Sequence, residues 1–283
     1  MTYTIIYSFN NYNDCDQRCW KSISENIDEI NNVEIIIIDP LGKAKVVTNK
    51  IENQNDVRVL SNGFGWKLKN DSIQLANGDT LIFIDSASVF QKCSIRDIIA
   101  RQKENPHDLN ITIPKRYLYN EKCDLFRSLL EKVYDFFEKR GERISFPWLY
   151  AIFGIFSFKK RYIKNRHEFP SDYFHEKFGN VEFAYRILSR GYNGIVISDG
   201  NVGQNASILE NNELFEKDWN LMMQKVTSID FQLITMVKKE FIKYCNGTIK
   251  KVDEKDIMKF ILLETAIRCW KNKYITRKDF SYL

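Results

Sequence analysis

Histidine, proline and glycine are scarce in this chain of 283 residues, with 3, 5 and 12 copies. The three histidines (His107, His167 and His175) and the lack of any Cys-x-x-Cys pair leave no zinc-binding pattern, and Cys15 and Cys19 have no second pair to complete a tetrahedral set. The six cysteines are scattered and read as free thiols of a reducing compartment. Scarce Pro and Gly beside 44% hydrophobic and 14% aromatic content exclude a disordered chain. No apolar run approaches the ~20 residues that a membrane span requires. The N-terminus enters a strand without a charged leader or cleavage site, so no signal peptide is expected, and the chain is predicted to be cytoplasmic. The sequons at Asn110, Asn205 and Asn246 are then chance matches. A formal charge of +5 without a concentrated basic stripe argues against a nucleic-acid partner.

The most informative stretch runs from 57 to 88. A short apolar strand (57–60) leads through Asn62-Gly63-Phe64-Gly65 into a helix predicted over 66–75. The chain then turns at Ala76-Asn77-Gly78-Asp79 and enters Thr80-Leu81-Ile82-Phe83-Ile84-Asp85, a continuous apolar run closed by an acid. Such a run reads as a fully buried strand, with Asp85 at the C-terminal edge of a sheet where ligands of open α/β proteins sit. Two earlier strands (2–8 and 33–39) flank a helix predicted over 15–30, and the second also ends in an acid, Asp39, which is expected at a strand end adjacent to that of Asp85. Further strands are predicted at 110–114 and 194–198, with a helix over 95–102 between elements. Alternating strands and helices imply a mixed, mainly parallel sheet covered by helices, a Rossmann-like α/β architecture.

Several motifs refine that reading. Lys69-Asn70, Ala76, Gly78, Asp79, Phe83 and Asp85 fall into the order of a segment that delivers the metal-binding D-x-D motif in family 2 glycosyltransferases of the GT-A fold. Cys19-Trp20-Lys21-Ser22-Ile23 and Glu34–Asp39 match that family's first helix and second strand, and Glu182, Phe183, Arg186, Gly191 and Tyr192 match its acceptor-side helix. The chain therefore resembles this family over 2–205. The resemblance implies a nucleotide-diphosphate sugar donor, most simply a UDP-sugar. It places Asp39 on the base, Lys69 near phosphate, Asp85 on ribose and on any Mg²⁺ or Mn²⁺, and Ser8 and Asn10 beside the nucleotide.

Three departures fall on three catalytic elements. Ala87 replaces the second D-x-D acid, Gly179-Asn180 replaces the E-D pair whose Asp is the base of inverting members, and Gln204 lies nearest to the expected metal-binding His. Asn cannot take a proton as a carboxylate does. Glu176 and Glu182 are the candidate substitute bases, beside plainer readings as surface-loop and site-wall residues. Ser88 and Gln204 are weak additional metal ligands.

Elsewhere the patterns stay open. Residues 121–140 carry apolar side chains at helical spacing, either a packed amphipathic helix or an acceptor-facing insertion. The apolar run 148–158 reads as a buried strand bent at Gly154, and Lys159-Lys160-Arg161 as a solvated helix start or an anion contact. Residues 213–283 hold 14 Lys or Arg against 10 Asp or Glu, in three predicted helices. The domain organisation expected is a GT-A domain at 1–205 and a helical extension at 206–283, the extension serving a homodimer, a hetero-oligomer or peripheral contact with the inner face of a membrane. Two functions follow: sugar transfer, from a rebuilt or metal-independent site with Lys and Arg in place of the cation, to a glycan, lipid-linked or protein acceptor in bacterial surface polysaccharide or glycoconjugate synthesis, or a catalytically inactive domain that binds nucleotide sugar or scaffolds an active enzyme.

Overall fold

In a computed structural model of the chain, the described residues are 2–9, 14–27, 30–40, 42, 57–61, 63, 65–85, 88–117, 131, 134, 135, 138, 139, 141, 147–163, 176–188 and 192–204. Contacts divide the chain into one unit of 1–121 with 146–206 and another of 122–145 with 207–283. In the second unit the described residues are few; Tyr134 donates its hydroxyl to Glu138 Oε1 at 3.1 Å, one helical turn away. The extension beyond 205, Asn10 and most of the predicted helix 121–140 lie outside the described residues.

The first unit is built on an eight-stranded sheet in the order β3-β2-β1-β4-β7-β6-β8-β5. Its strands are β1 (Tyr3–Ser8), β2 (Val33–Ile38), β3 (Val57–Leu60), β4 (Thr80–Asp85), β5 (Ser88–Phe90), β6 (Leu109–Tyr117), β7 (Ile155–Lys159) and β8 (Gly194–Gln204). The helices are α1 (Asp14–Ile27), α2 (Trp66–Leu75), α3 (Ser94–Glu104) and α4 (Glu176–Leu188). β1 pairs in parallel with β2 and β4, and β2 with β3; β7 then runs antiparallel to β4 and β6, while β6 and β8 are parallel. β1, β2 and β4 are buried along their whole lengths, as expected of strands covered on both faces.

Helix α1 shows why its sequence matters. Trp20 stacks on Tyr7 with ring centroids 5.8 Å apart, and Cys19 and Ile23 are buried. Ser22 Oγ accepts the Phe90 amide at 3.1 Å, and Asn26 Oδ1 accepts the Ile95 amide at 3.3 Å. This motif thus clamps β1, β5 and α3 together.

The structure corrects three local expectations. The run 148–158 is not one bent strand: Pro147–Phe153 forms a 3-10 helix, and only Ile155–Lys159 is extended. An all-apolar run lacks the periodicity that separates strand from buried helix, and the break falls at Gly154, whose φ of +75° favours glycine. Lys159 ends a strand, with Lys160–Tyr162 in a short 3-10 turn. Asp39 and Asp85 do not close adjacent strands, because β1 lies between β2 and β4.

Candidate functional site

That insertion of β1 sets the layout of the C-terminal edge. Ser8 pairs across the sheet with Ile38 on one side and Asp85 on the other. The edge therefore presents Asp39, Ser8 and Asp85 on three successive strands, all buried. Asp39 is held by its own backbone, its amide donating to Leu60 O at 2.8 Å and its carbonyl accepting from Gly42 at 3.2 Å. Ser8 Oγ is buried with no hydrogen-bond partner among the described residues. A hydroxyl desolvated in that way costs on the order of 1–3 kcal/mol unless something polar reaches it.

Asp85 is the most constrained of the three. Lys69 Nζ donates to Asp85 Oδ1 at 3.0 Å and to Asn180 Oδ1 at 2.9 Å. Asn180 Nδ2 donates to Asp85 Oδ2 at 3.1 Å. Three side chains from α2, β4 and α4 thus close a ring of hydrogen bonds in which Lys69 and Asn180 are fully buried. The Asp85 amide donates to Gly154 O at 3.1 Å, and a Cβ at position 154 would stand 1.9 Å from Asp85 Oδ2. Both carboxylate oxygens are engaged and glycine backbone packs against one of them.

The cluster continues into an aromatic core. Lys69 Nζ lies 5.3 Å from the Trp66 ring centroid, one turn earlier on α2. Trp66 stacks on Phe83 at 6.0 Å and meets Phe183 at 5.0 Å. The indole presses against α4 so closely that a Cβ at position 179 would fall 1.6 Å from Trp66 Cδ1. Gly179 therefore makes room for the ring that covers the ammonium, and its neighbour Asn180 completes the bonds around that ammonium. Asn180, Trp66, Gly154 and Gly179 are the residues the sequence reading missed as members of one site; a Gly-Asn pair where acids are expected was the visible signal.

Among the described residues, the donor set around Asp85 does not fit a divalent cation. Mg²⁺ and Mn²⁺ want carboxylate and water oxygens in open coordination positions. Here Asp85 is already paired with an ammonium, and a dication ~4 Å from that ammonium would meet a repulsion on the order of 8 kcal/mol at an effective dielectric of ~20. Among the described residues no group of three His, Cys, Asp or Glu side chains is placed to hold a metal ion. Ser88 and Gln204 stand opposite each other in the β5–β8 pairing, beyond the Asp85 strand end.

Glu176 and Glu182 both lie on α4, their side chains outside the described set. At about 100° per residue, position 176 shares the face of Asn180 and position 182 falls nearly opposite it.

The basic triplet lies elsewhere. Lys159 pairs with Thr80, the first residue of β4, so the triplet stands at the opposite edge of the sheet from Asp85. There Lys159 Nζ donates to Thr80 Oγ1 at 2.7 Å, and Lys160 Nζ donates to the carbonyls of Gln74, at 3.5 Å, and Ala76. A cavity of about 630 Å³ lies beside them, lined by Asn77, Asp79 and Pro106 among others. Loss of hydration pushes the Lys159 ammonium below the usual lysine range; Asp79 opposes this, while Arg161 and Lys103 reinforce it.

No family model and no curated protein sequence matches the chain. Solved structures do. Residues 1–349 of S. aureus TarS in complex with UDP-GlcNAc superpose with a TM-score of 0.56 at 13% identity, over 96% of this chain and 90% of that one. A second structure of the same TarS portion gives 0.55 at 13%, over 96% and 89%. The mannosyltransferase PcManGT from Pyrobaculum calidifontis, in complex with GDP-Man and Mn²⁺, gives 0.55 at 9%, over 95% and 70%. With the strand order above, these likenesses show a GT-A glycosyltransferase fold. Among the described residues no helix is long and apolar enough to cross a membrane.

Proposed function

We propose that this chain is a nucleotide-sugar-dependent glycosyltransferase, taking a UDP-linked hexose or N-acetylhexosamine to a glycan, lipid-linked or protein acceptor in a cytoplasmic step of surface polysaccharide or glycoconjugate synthesis. The observation that carries the reading is the row Asp39, Ser8 and Asp85 along the C-terminal edge of a GT-A sheet, with the buried Ser8 hydroxyl lacking a hydrogen-bond partner among the described residues. Asp39 is suited to accept hydrogen bonds from a base, and Ser8 to bond ribose or phosphate oxygens. In the transfer, an acceptor hydroxyl attacks the anomeric carbon, the bond to the diphosphate breaks, and the acceptor proton passes to a carboxylate. Glu176 suits that last role better than Glu182, because position 176 lies on the Asn180 face of α4. Partnership through the C-terminal segment, as a homodimer, a hetero-oligomer or at a membrane face, belongs to the same proposal.

Calorimetric titration of the full chain with UDP, GDP and UDP-sugars tests this reading. Binding of one nucleotide in preference to the others is expected, and lack of binding to all of them would sink it. One observation favours a second reading. Asn180, in the place of the base, is locked to Lys69 and Asp85, an arrangement that also suits a domain that binds nucleotide sugar without turnover and supports a partner enzyme. Released UDP, followed in the presence of candidate acceptors, separates the two.

A further inference from the structure

We propose that Lys69 and Asn180 replace the divalent cation at this site, so that Asp85 is neutralised internally and the ligand is bound without metal. The charges of the cluster balance. Lys69 contributes one positive charge, Asp85 one negative charge and Asn180 none, and the three are joined by bonds of 2.9–3.1 Å. A carboxylate at 180 would set two acids about the same ammonium and leave the buried cluster with an excess negative charge, the condition that recruits a cation. An amide suits the position because it accepts from Lys69 and donates to Asp85 at once. The adjacent Gly179 serves the same end, since only there can Trp66 lie close enough to α4 to cover Lys69. Two consecutive residues thus support one metal-free cluster. A nucleoside diphosphate arriving at the edge meets a neutral unit, and no bridging dication is needed to offset repulsion from Asp85. The ligand class rests on the nucleotide-sugar reading above; the exclusion of metal does not.

Two measurements on the full chain test this. In the first, Mn²⁺ is titrated without nucleotide and followed by its electron paramagnetic resonance signal. Wild type is expected to leave the signal of free Mn²⁺ undiminished, whereas the double variant Lys69→Met with Asn180→Asp, which sets two carboxylates side by side, binds Mn²⁺ at least about tenfold more tightly. If circular dichroism shows the double variant unfolded, Asn180→Asp alone is used, and it too should gain affinity. In the second, UDP and GDP are titrated in EDTA and in Mn²⁺, and equal affinities are expected. Stoichiometric Mn²⁺ binding by wild type, folded variants that bind Mn²⁺ no better, or nucleotide affinity about tenfold higher with Mn²⁺ would each overturn the proposal. Failure of both nucleotides to bind in either buffer removes the nucleotide reading instead, and the Mn²⁺ titration still decides the metal.

Discussion

The two ends of the central strands carry buried polar clusters of opposite kinds. At the N-terminal end, Glu34 accepts Thr4 Oγ1 at 2.6 Å, the Asn77 amide at 2.7 Å and Asn77 Nδ2 at 3.1 Å, and pairs with Arg58 at 3.4 Å. Gly78 donates to Thr4 Oγ1 at 2.9 Å, and a Cβ there would stand 2.5 Å from the Thr4 amide. This network stitches the 76–79 turn onto β1 and β2. At the C-terminal end, Lys69, Asp85 and Asn180 form an equally closed ring, yet Ser8 beside it has no partner among the described residues. Buried charge at one end ties a turn to two strands; at the other it sits beside a hydroxyl with no partner among the described residues. The lesson is that part of a glycosyltransferase-like motif, Ala76 to Asp79, is a fold signature rather than a site.

The contrast can be broken first at its strongest bond. Lys69→Ala leaves the Asp85 carboxylate buried without its cation and should cost about 3–5 kcal/mol in urea unfolding. A loss below ~1 kcal/mol, in the range of an exposed pair, would mean that the ring contributes nothing to the fold. Gly154→Ala adds a methyl against Asp85 and forces a left-handed alanine, so about 3 kcal/mol is expected from the same measurement.

At the other end, Glu34→Gln weakens charge-assisted bonds and should cost about 2 kcal/mol while leaving UDP affinity unchanged. Equal loss of affinity would merge the two ends into one functional unit. Ser8→Ala is the converse: stability is expected to hold or to rise by up to about 1 kcal/mol, because an unsatisfied buried hydroxyl is removed, while UDP affinity falls by about fivefold. Parallel falls in both quantities would show that Ser8 is structural.

The smallest effect concerns pH. Lys159 has a lowered folded pKa, so between that value and the ordinary lysine value of 10.5 the unfolded chain binds more protons than the folded one. Its contribution to stability therefore rises with pH through that window and is lost as pH falls through the folded value. Lys159→Met should remove this slope from the alkaline stability profile, and an unchanged slope would show that another group produces it.

Much of the fold was legible because it rests on local pattern. β3, α2 and β4 were predicted at 57–60, 66–75 and 80–85 and occur there. Gly65 and the 76–79 turn punctuate them, and the apolar runs are bounded by polar residues. The candidate site was legible only in part. Asp39 and Asp85 are marked because acids end buried strands, whereas the Lys69–Asn180 contact joins residues 111 positions apart. Read alone, Lys69 was a phosphate contact and Asn180 a missing base.

Composition and periodicity determined that this chain builds a helix-covered, mainly parallel sheet, because burying continuous apolar strands on both faces leaves few other solutions. They also determined that acids would line one edge. Strand order, and with it the placement of Ser8 between Asp39 and Asp85, was decided by packing. So was the charge state of the site: the neutrality of a buried carboxylate depends on which cation and amide the folded chain brings within about 3 Å of it, and no stretch of sequence carries that distance.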